Sequence, residues 1–229
     1  MLGTHKNILV LFFILLLTVS IQSEENPYIF INTNAQKMVE VLTADADLFE
    51  TNREEYEKKI KIIFEPMIDF RRVSASVMGK KYYLTATPEQ RSNFVIIFKD
   101  SLLDTYAETL AQWGDSKIST NFPDKLPEDE VLNIEVKQIL DTWTSKYPIS
   151  YKLRKSSEGW KIVNIIINGV NLGLTFRNQF QALAKSHDEN IEATLENWVS
   201  DAGDAGIKWN ERKNWKYYQK KYTWCGLRV

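Results

Sequence analysis

Residues 64–113, FEPMIDFRRVSASVMGKKYYLTATPEQRSNFVIIFKDSLLDTYAETLAQW, decide how the chain is read. The stretch predicts two helices joined by a short aromatic segment. Pro66 suits a first helical turn, and Asp69 places an anion near the positive end of the helix dipole. Met67, Phe70, Val73, Ser74, Val77 and Met78 then recur at steps of three and four, the spacing of a helix with one apolar face. Gly79 ends that run, because glycine turns left-handed without steric cost. Thr87-Pro88-Glu89-Gln90 opens the next helix: Thr caps, Pro fills the first turn and Gln completes a capping box.

The second helix, predicted from Pro88 to about Trp113, is unusually apolar. Phe94, Val95, Phe98, Leu102, Tyr106 and Trp113 form one stripe, Ile96, Leu103 and Leu110 flank it, and Ile97 lies on the other side. The arc is roughly 200° wide, against roughly 100° for a surface helix. Such a helix must be covered on more than one flank. Either it is the centre of a thick core, or one flank packs on the core and the other lines a cavity for an apolar ligand.

On either side of this stretch the period changes. Ala35 to Phe64 reads as helical, with Met38, Val39, Leu42 and Ala46 on one face and a polar break at Thr51-Asn52-Arg53. From Val131 to Ile167 the period is two. Leu132, Ile134, Val136 and Leu140 alternate with polar neighbours, as do Ile149, Tyr151 and Leu153. Trp160 to Ile167 is a third strand, with Ser156 to Gly159 as a hairpin turn, and its Ile165-Ile166-Ile167 end is expected to be covered on both faces. Helical spacing returns near Thr175 with Phe176, Phe180 and Leu183, and again with Ile191, Leu195, Trp198 and Val199. Helices, then an antiparallel sheet, then helices make an α+β layout.

Composition narrows the classes. The 229 residues carry 29 Lys+Arg and 30 Asp+Glu, so there is no global field for nucleic acid. Lys6 precedes twelve residues, Ile8 to Val19, that are apolar apart from Thr18, which reads as a signal peptide over residues 1–23 rather than a membrane span of about 20 residues. Cleavage after Ser20 or Ser23 fits, and an uncleaved anchor is the competing reading. Beyond it, His187 is the one histidine and Cys225 the one cysteine, which excludes a multi-histidine metal site and an intramolecular disulfide. Nucleotide-binding glycine motifs, a nucleophile elbow and metal-ligand spacings are all missing from the sequence. Residues 205–229 hold seven basic residues and one acid among Trp209, Trp215, Tyr217, Tyr218, Tyr222 and Trp224. That mixture suits an anionic membrane surface or an acidic partner face, or else a loosely docked extension.

Pro66, Asp69-Phe70, Met78-Gly79-Lys80 and Tyr82, followed by Thr87 to Arg91, Phe94, Phe98, Leu102 and Thr105-Tyr106-Ala107, resemble the MlaC-type (toluene-tolerance) family of periplasmic phospholipid-binding proteins. A second match runs through PISYKLRKSSEGWKIVNIIINGVNLGLTFRNQFQALA, residues 148–184, and together the matches span about Val39 to Leu195. Asn164 stands where the family usually has Asp, and Asn171 where it usually has Ser, which puts the local hydrogen bonding in question.

The resemblance implies a small curved antiparallel sheet wrapped by several helices and enclosing an apolar lipid pocket. Together with the signal-peptide pattern and the change of composition near residue 205, it divides the chain into signal peptide 1–23, lipid-binding domain 24–204 and basic aromatic extension 205–229, the last beyond the reach of the resemblance. The expected activity is carriage of phospholipid between an inner-membrane ABC transport complex and an outer-membrane lipoprotein complex, maintaining outer-membrane asymmetry. The expected carrier is a monomer with phospholipid as cargo, no cofactor and no metal.

The candidate pocket residues are Phe70, Val73, Val77, Phe94, Phe98, Leu102, Tyr106, Ile134, Val136, Tyr151, Trp160 and Ile162. Each of them also reads as ordinary core. Lys80, Lys81, Arg91 and Arg177 are candidates for headgroup or partner contacts, with solvated surface as the plainer reading. Two other classes stay open. One is an enzyme on a similar α+β cone with Asp69 or Glu65 as base, although Asp69 also reads as a cap or an ion pair with Arg72. The other is a binding module that acts through residues 205–229.

Overall fold

The computed structural model describes residues 26–45, 47–110, 116–125, 131–142 and 145–201, with the side chains of 108–110 excepted. The predicted signal peptide, Trp113 and the basic extension lie outside the described residues.

Helix starts are set by side-chain caps. α1 (Pro27–Ala44) begins eight residues before the sequence pattern suggests, because the Asn26 side-chain oxygen Oδ1 accepts from the amides of Tyr28 and Ile29. The polar break divides the next segment into α2 (Leu48–Thr51) and α3 (Arg53–Phe64), with Asn52 capping α3. Pro66 lies in a single 3-10 turn, Glu65–Met67. Asp69 then caps α4 (Phe70–Thr85) by accepting from the Arg72 amide at 3.0 Å, and it also pairs with the Arg72 guanidinium. The capping box of α5 (Pro88–Leu110) is complete: Gln90 N–H donates to Thr87 Oγ1 at 3.1 Å, and Thr87 N–H to Gln90 Oε1 at 3.0 Å.

Gly79 interrupts α4 at φ 71°, ψ 166°, a conformation open in practice only to glycine. The chain resumes a helix at once over residues 80–85, so the aromatic joint is itself helical.

Five strands form one antiparallel sheet in sequence order: β1 (Lys117–Asn121), β2 (Asn133–Asp141), β3 (Lys146–Ser156), β4 (Gly159–Ile167) and β5 (Val170–Asn171). The hairpin between β3 and β4 turns at Ser157-Glu158, with Ser156 opposite Gly159. Alternation puts Val136, Leu140, Ile149, Leu153 and Ile162 on the inner face. A bulge lies between the Lys152–Asn164 and Leu153–Ile162 pairs, where Val163 has no partner. The extra residue switches the inward set of β4 from Trp160 and Ile162 to Ile165 and Ile167. The triple isoleucine is therefore split: Ile166 faces the other side of the sheet and is half-buried beside Ile139 and Pro148.

The bulge also aims Asn164 at the start of α6 (Leu172–Ser186), and α7 (Ile191–Glu196) follows. Asn164 Nδ2 donates to Asn171 Oδ1 at 3.0 Å, and Asn164 Oδ1 accepts from the Gly173 amide at 3.0 Å. Asn171 Oδ1 in turn caps Leu174. The two asparagines thus satisfy the first turn of α6 without a charge. α4 is fixed to the same strand, since Asp69 N–H donates to the Ile162 carbonyl and Lys161 Nζ to that of Pro66.

The main core lies between the sheet and α4, α5 and α6, with Phe94, Phe98 and Phe180 fully buried. A second cluster, Met38, Leu42, Tyr56, Ile60 and Ala107, joins α1, α3 and α5.

Two substitutions probe these joints. Gly79→Ala should cost about 1–3 kcal/mol in chemical denaturation, from backbone strain alone, because a Cβ there meets nothing closer than 3.6 Å. In Gly173→Ala the new Cβ would stand 2.6 Å from Asn164 Oδ1. Its cost should shrink when Asn164 is also Ala, and a double-mutant cycle reads that coupling.

Candidate functional site

Between the two cores lies a cavity of about 120 Å³ walled almost wholly by hydrocarbon. α1 supplies Ile31, Ala35, Met38 and Val39, one helical face at steps of three and four. The end of α3 adds Phe64, and the turn before α4 adds Met67 and the Ile68 that follows it. α5 contributes Phe98, Leu102, Leu103 and Tyr106, and α6 contributes Leu172 and Phe176. The sheet closes the last side with Ile118, Ile149, Tyr151, Ile162, Ile165 and Ile167. No Asp, Glu, Lys, Arg or His is among the described residues of this wall. Its polar side chains are Asn34, Tyr106, Tyr151 and Asn164.

Six of the twelve sequence candidates come together here: Val73, Phe98, Leu102, Tyr106, Tyr151 and Ile162. The other six stand behind the wall. Phe70, Val77, Phe94, Val136 and Trp160 are buried in the main core, and Ile134 packs half-buried against it. α5 does face two ways: Phe94 is sealed in the core, while Phe98, Leu102 and Tyr106 reach the cavity. Its far flank is open, with Ile96 57% exposed.

Sequence reasoning left α1, β1 and α6 out of the wall. The 31, 35, 38 spacing on α1 was a usable signal. Ile118 carried none, because Lys117 to Asn121 shows no apolar alternation.

The four basic candidates do not converge. Arg177 lies in a polar indentation of about 220 Å³ that shares Val73, Asn164 and Gly173 with the cavity. Its guanidinium donates to the Ser76 carbonyl and hydroxyl, both at 2.7 Å, which ties α6 to α4. Lys81 pairs with Glu189 beyond α6. That contact holds the ammonium pKa above its ordinary value and the carboxyl below its own. Arg91 donates to the Tyr83 carbonyl at 2.7 Å and lies over the Tyr83 ring. Lys80 is exposed on α4. The acids proposed for an enzyme are also engaged elsewhere: Glu65 accepts from Lys99 at 2.7 Å and Asp69 caps α4, and neither lines the cavity.

A larger groove of about 530 Å³ lies on the other face of the sheet. It is open and bordered by Ser119, Asn121, Lys137 and Ser150, so it gives an apolar ligand little to bury against. The apolar cavity is the stronger candidate.

Residues 32–200 match the MlaC protein family. The toluene tolerance protein ttg2D of Pseudomonas putida is 27% identical over 190 residues, 83% of this chain and 86% of that protein. The intermembrane phospholipid transport system binding protein MlaC of Haemophilus influenzae is 22% identical over 187 residues, covering 81% and 78% respectively. Among solved structures, the phospholipid-binding protein from Ralstonia solanacearum, in complex with a phospholipid, superposes with a TM-score of 0.66 at 23% identity. That match covers 75% of this chain and 94% of the other, and it establishes a common fold. With the family match running from α1 past α7, through every element that walls the cavity, the chain belongs to the MlaC protein family.

Proposed function

We propose that this protein is a periplasmic phospholipid carrier that moves lipid between an inner-membrane ABC transport complex and an outer-membrane lipoprotein complex, and so maintains outer-membrane lipid asymmetry. The observation that carries the reading is the cavity wall, which is free of charged side chains among the described residues. A phospholipid in water would expose some thirty methylenes at about 0.8 kcal/mol each, on the order of 25 kcal/mol. A carrier must replace the bilayer with hydrocarbon of its own, and this wall is built of it. The relatives named for phospholipid transport and phospholipid binding support the same reading.

In this reading Val73, Phe98, Leu102, Tyr106, Tyr151 and Ile162 touch the acyl chains. Phe70, Val77, Phe94, Ile134, Val136 and Trp160 form the packed layer that holds them in place. Arg177 is the basic group nearest the cavity on which a headgroup could rest, and Lys80, Lys81 and Arg91 are left for the surface of a partner. Catalysis is not part of the proposal: the titratable groups of the described wall are two phenols, which burial holds in their protonated form. Residues 1–23 would be removed on export, residues 24–204 would form the carrier, and the basic aromatic residues 205–229 would touch a membrane surface.

Native mass spectrometry with lipid extraction of the purified protein should recover bound phospholipid, and the emptied protein should take lipid from vesicles. Failure of both would end the carrier reading. Ala35→Trp, which fills the cavity from α1, should remove most of the bound lipid while leaving thermal unfolding cooperative. Deleting 205–229 should leave lipid retention intact; loss of all binding would instead favour a module that acts through that segment.

A further inference from the structure

The cavity contains more polar chemistry than acyl chains require. Of its four polar side chains, Asn164 is committed through both its amide and its oxygen, and Asn34 Nδ2 donates to the Phe30 carbonyl. The two tyrosines are different. Tyr106 Oη is buried and has no hydrogen-bond partner among the described residues. Tyr151, on β3 between Val136 and Ile165, makes no hydrogen bond through its hydroxyl among the described residues. A buried hydroxyl without a partner costs about 1–3 kcal/mol, so Tyr106 calls for a ligand that repays it, and Tyr151 adds a second uncommitted hydroxyl to the same wall.

We propose that the Tyr106 and Tyr151 hydroxyls form a polar subsite within the apolar cavity, which donates hydrogen bonds to the ester carbonyl oxygens that join acyl chains to glycerol. The inference rests on the carrier reading and adds the part of the lipid that the cavity recognises. Three features support it. First, among the described residues the phenol hydroxyls are wholly uncommitted, whereas the Asn34 and Asn164 amides each already donate one hydrogen bond within the protein. Second, burial raises both phenol pKa values, so both hydroxyls keep their protons and remain donors. Third, both residues line the same cavity from different layers, Tyr106 from α5 and Tyr151 from the sheet. A neutral donor also fits an uncharged carbonyl better than an ammonium would, because a cation in this wall would have to be desolvated.

The test compares two probes with the same headgroup and chain length: dioleoyl phosphatidylglycerol, which has ester carbonyls, and its dioleyl ether counterpart, which has none. The delipidated protein is titrated with each, and occupancy is read by native mass spectrometry. Wild type should prefer the ester lipid by roughly two- to tenfold for each hydrogen bond made. Tyr106→Phe and Tyr151→Phe should each reduce that ratio, and the double variant should bring it to about one. Tyr106→Phe should also raise the melting temperature of the emptied protein, because it removes an unpaired buried hydroxyl.

A ratio of one in wild type, which needs no variant to fold, overturns the subsite. So does a ratio that survives in the double variant, or a Tyr106→Phe protein that melts lower with its ratio unchanged, the mark of a purely structural hydroxyl. Uptake of both lipids without preference removes the subsite and leaves the carrier reading standing. Uptake of neither removes both.

Discussion

The structure depends on a block of aromatic rings packed edge to face around α5. The Phe94 centroid lies 4.9 Å from that of Phe180 and 5.4 Å from that of Trp198, and Phe98 lies 5.5 Å from Phe176. Tyr82 of α4 meets Phe180 at 5.6 Å. Each such pair adds about 0.5–1.5 kcal/mol beyond the area it buries, and the geometry allows little sliding. α4, α5, α6 and the segment after α7 are thereby locked as one wall. The polar atom within the block is satisfied too, since Trp198 Nε1 donates to Ser200 Oγ. Because Phe98 and Phe176 also face the cavity, the wall of the candidate site is the outer surface of this rigid block.

The opposite wall is held differently. α1 reaches the sheet through a polar relay in which Gln138 Nε2 donates to Thr120 Oγ1, and Thr120 donates to Asn32 Oδ1, each at 2.8 Å. Gln36 adds a bond to the Ile118 carbonyl. Ring packing fills space, whereas hydrogen bonds fix a spacing. A helix set at a fixed spacing from a curved sheet, opposite a block of rings that cannot spread, leaves hydrocarbon facing hydrocarbon across a gap. The cavity follows from joining these two kinds of attachment around one core.

The helical half of this arrangement was legible in the sequence because its determinants are local. Asp69 as a cap, the Thr87–Gln90 box, Gly79 as an interruption and the excess apolar surface of α5 all follow from neighbours within a turn or two. The hairpin at Ser156–Gly159 was legible for the same reason. The bulge at Val163 was not, since it is a property of the pairing between β3 and β4. It reverses which isoleucines face inward and aims Asn164 at α6, so the pairing of Asn164 with Asn171 could not be read from either residue. Most of the cavity wall was missed on similar grounds. Phe94 and Phe98 are equivalent on a helical wheel, and only the position of α6 decides that Phe98 reaches the cavity while Phe94 is sealed beneath Phe180 and Trp198.

Under the carrier reading, this wall also sets what the site can discriminate. A bilayer and a cavity of Ile, Leu, Val, Met and Phe offer an acyl chain nearly the same environment, so the large transfer energies cancel when a lipid passes from one to the other. What remains is the small difference made by polar atoms and by fit. Charged groups would upset that balance, because a paired ammonium or carboxylate at the ligand binds strongly and releases slowly. In this fold the basic group that adjoins the cavity is turned to structural use, since Arg177 holds Ser76, and Lys99 and Lys81 are paired with Glu65 and Glu189. The ligand is left to hydrocarbon and to uncharged phenols. On that reading, a site built this way would hold its cargo about as well as a membrane does, and the direction of net movement would have to come from the proposed partners.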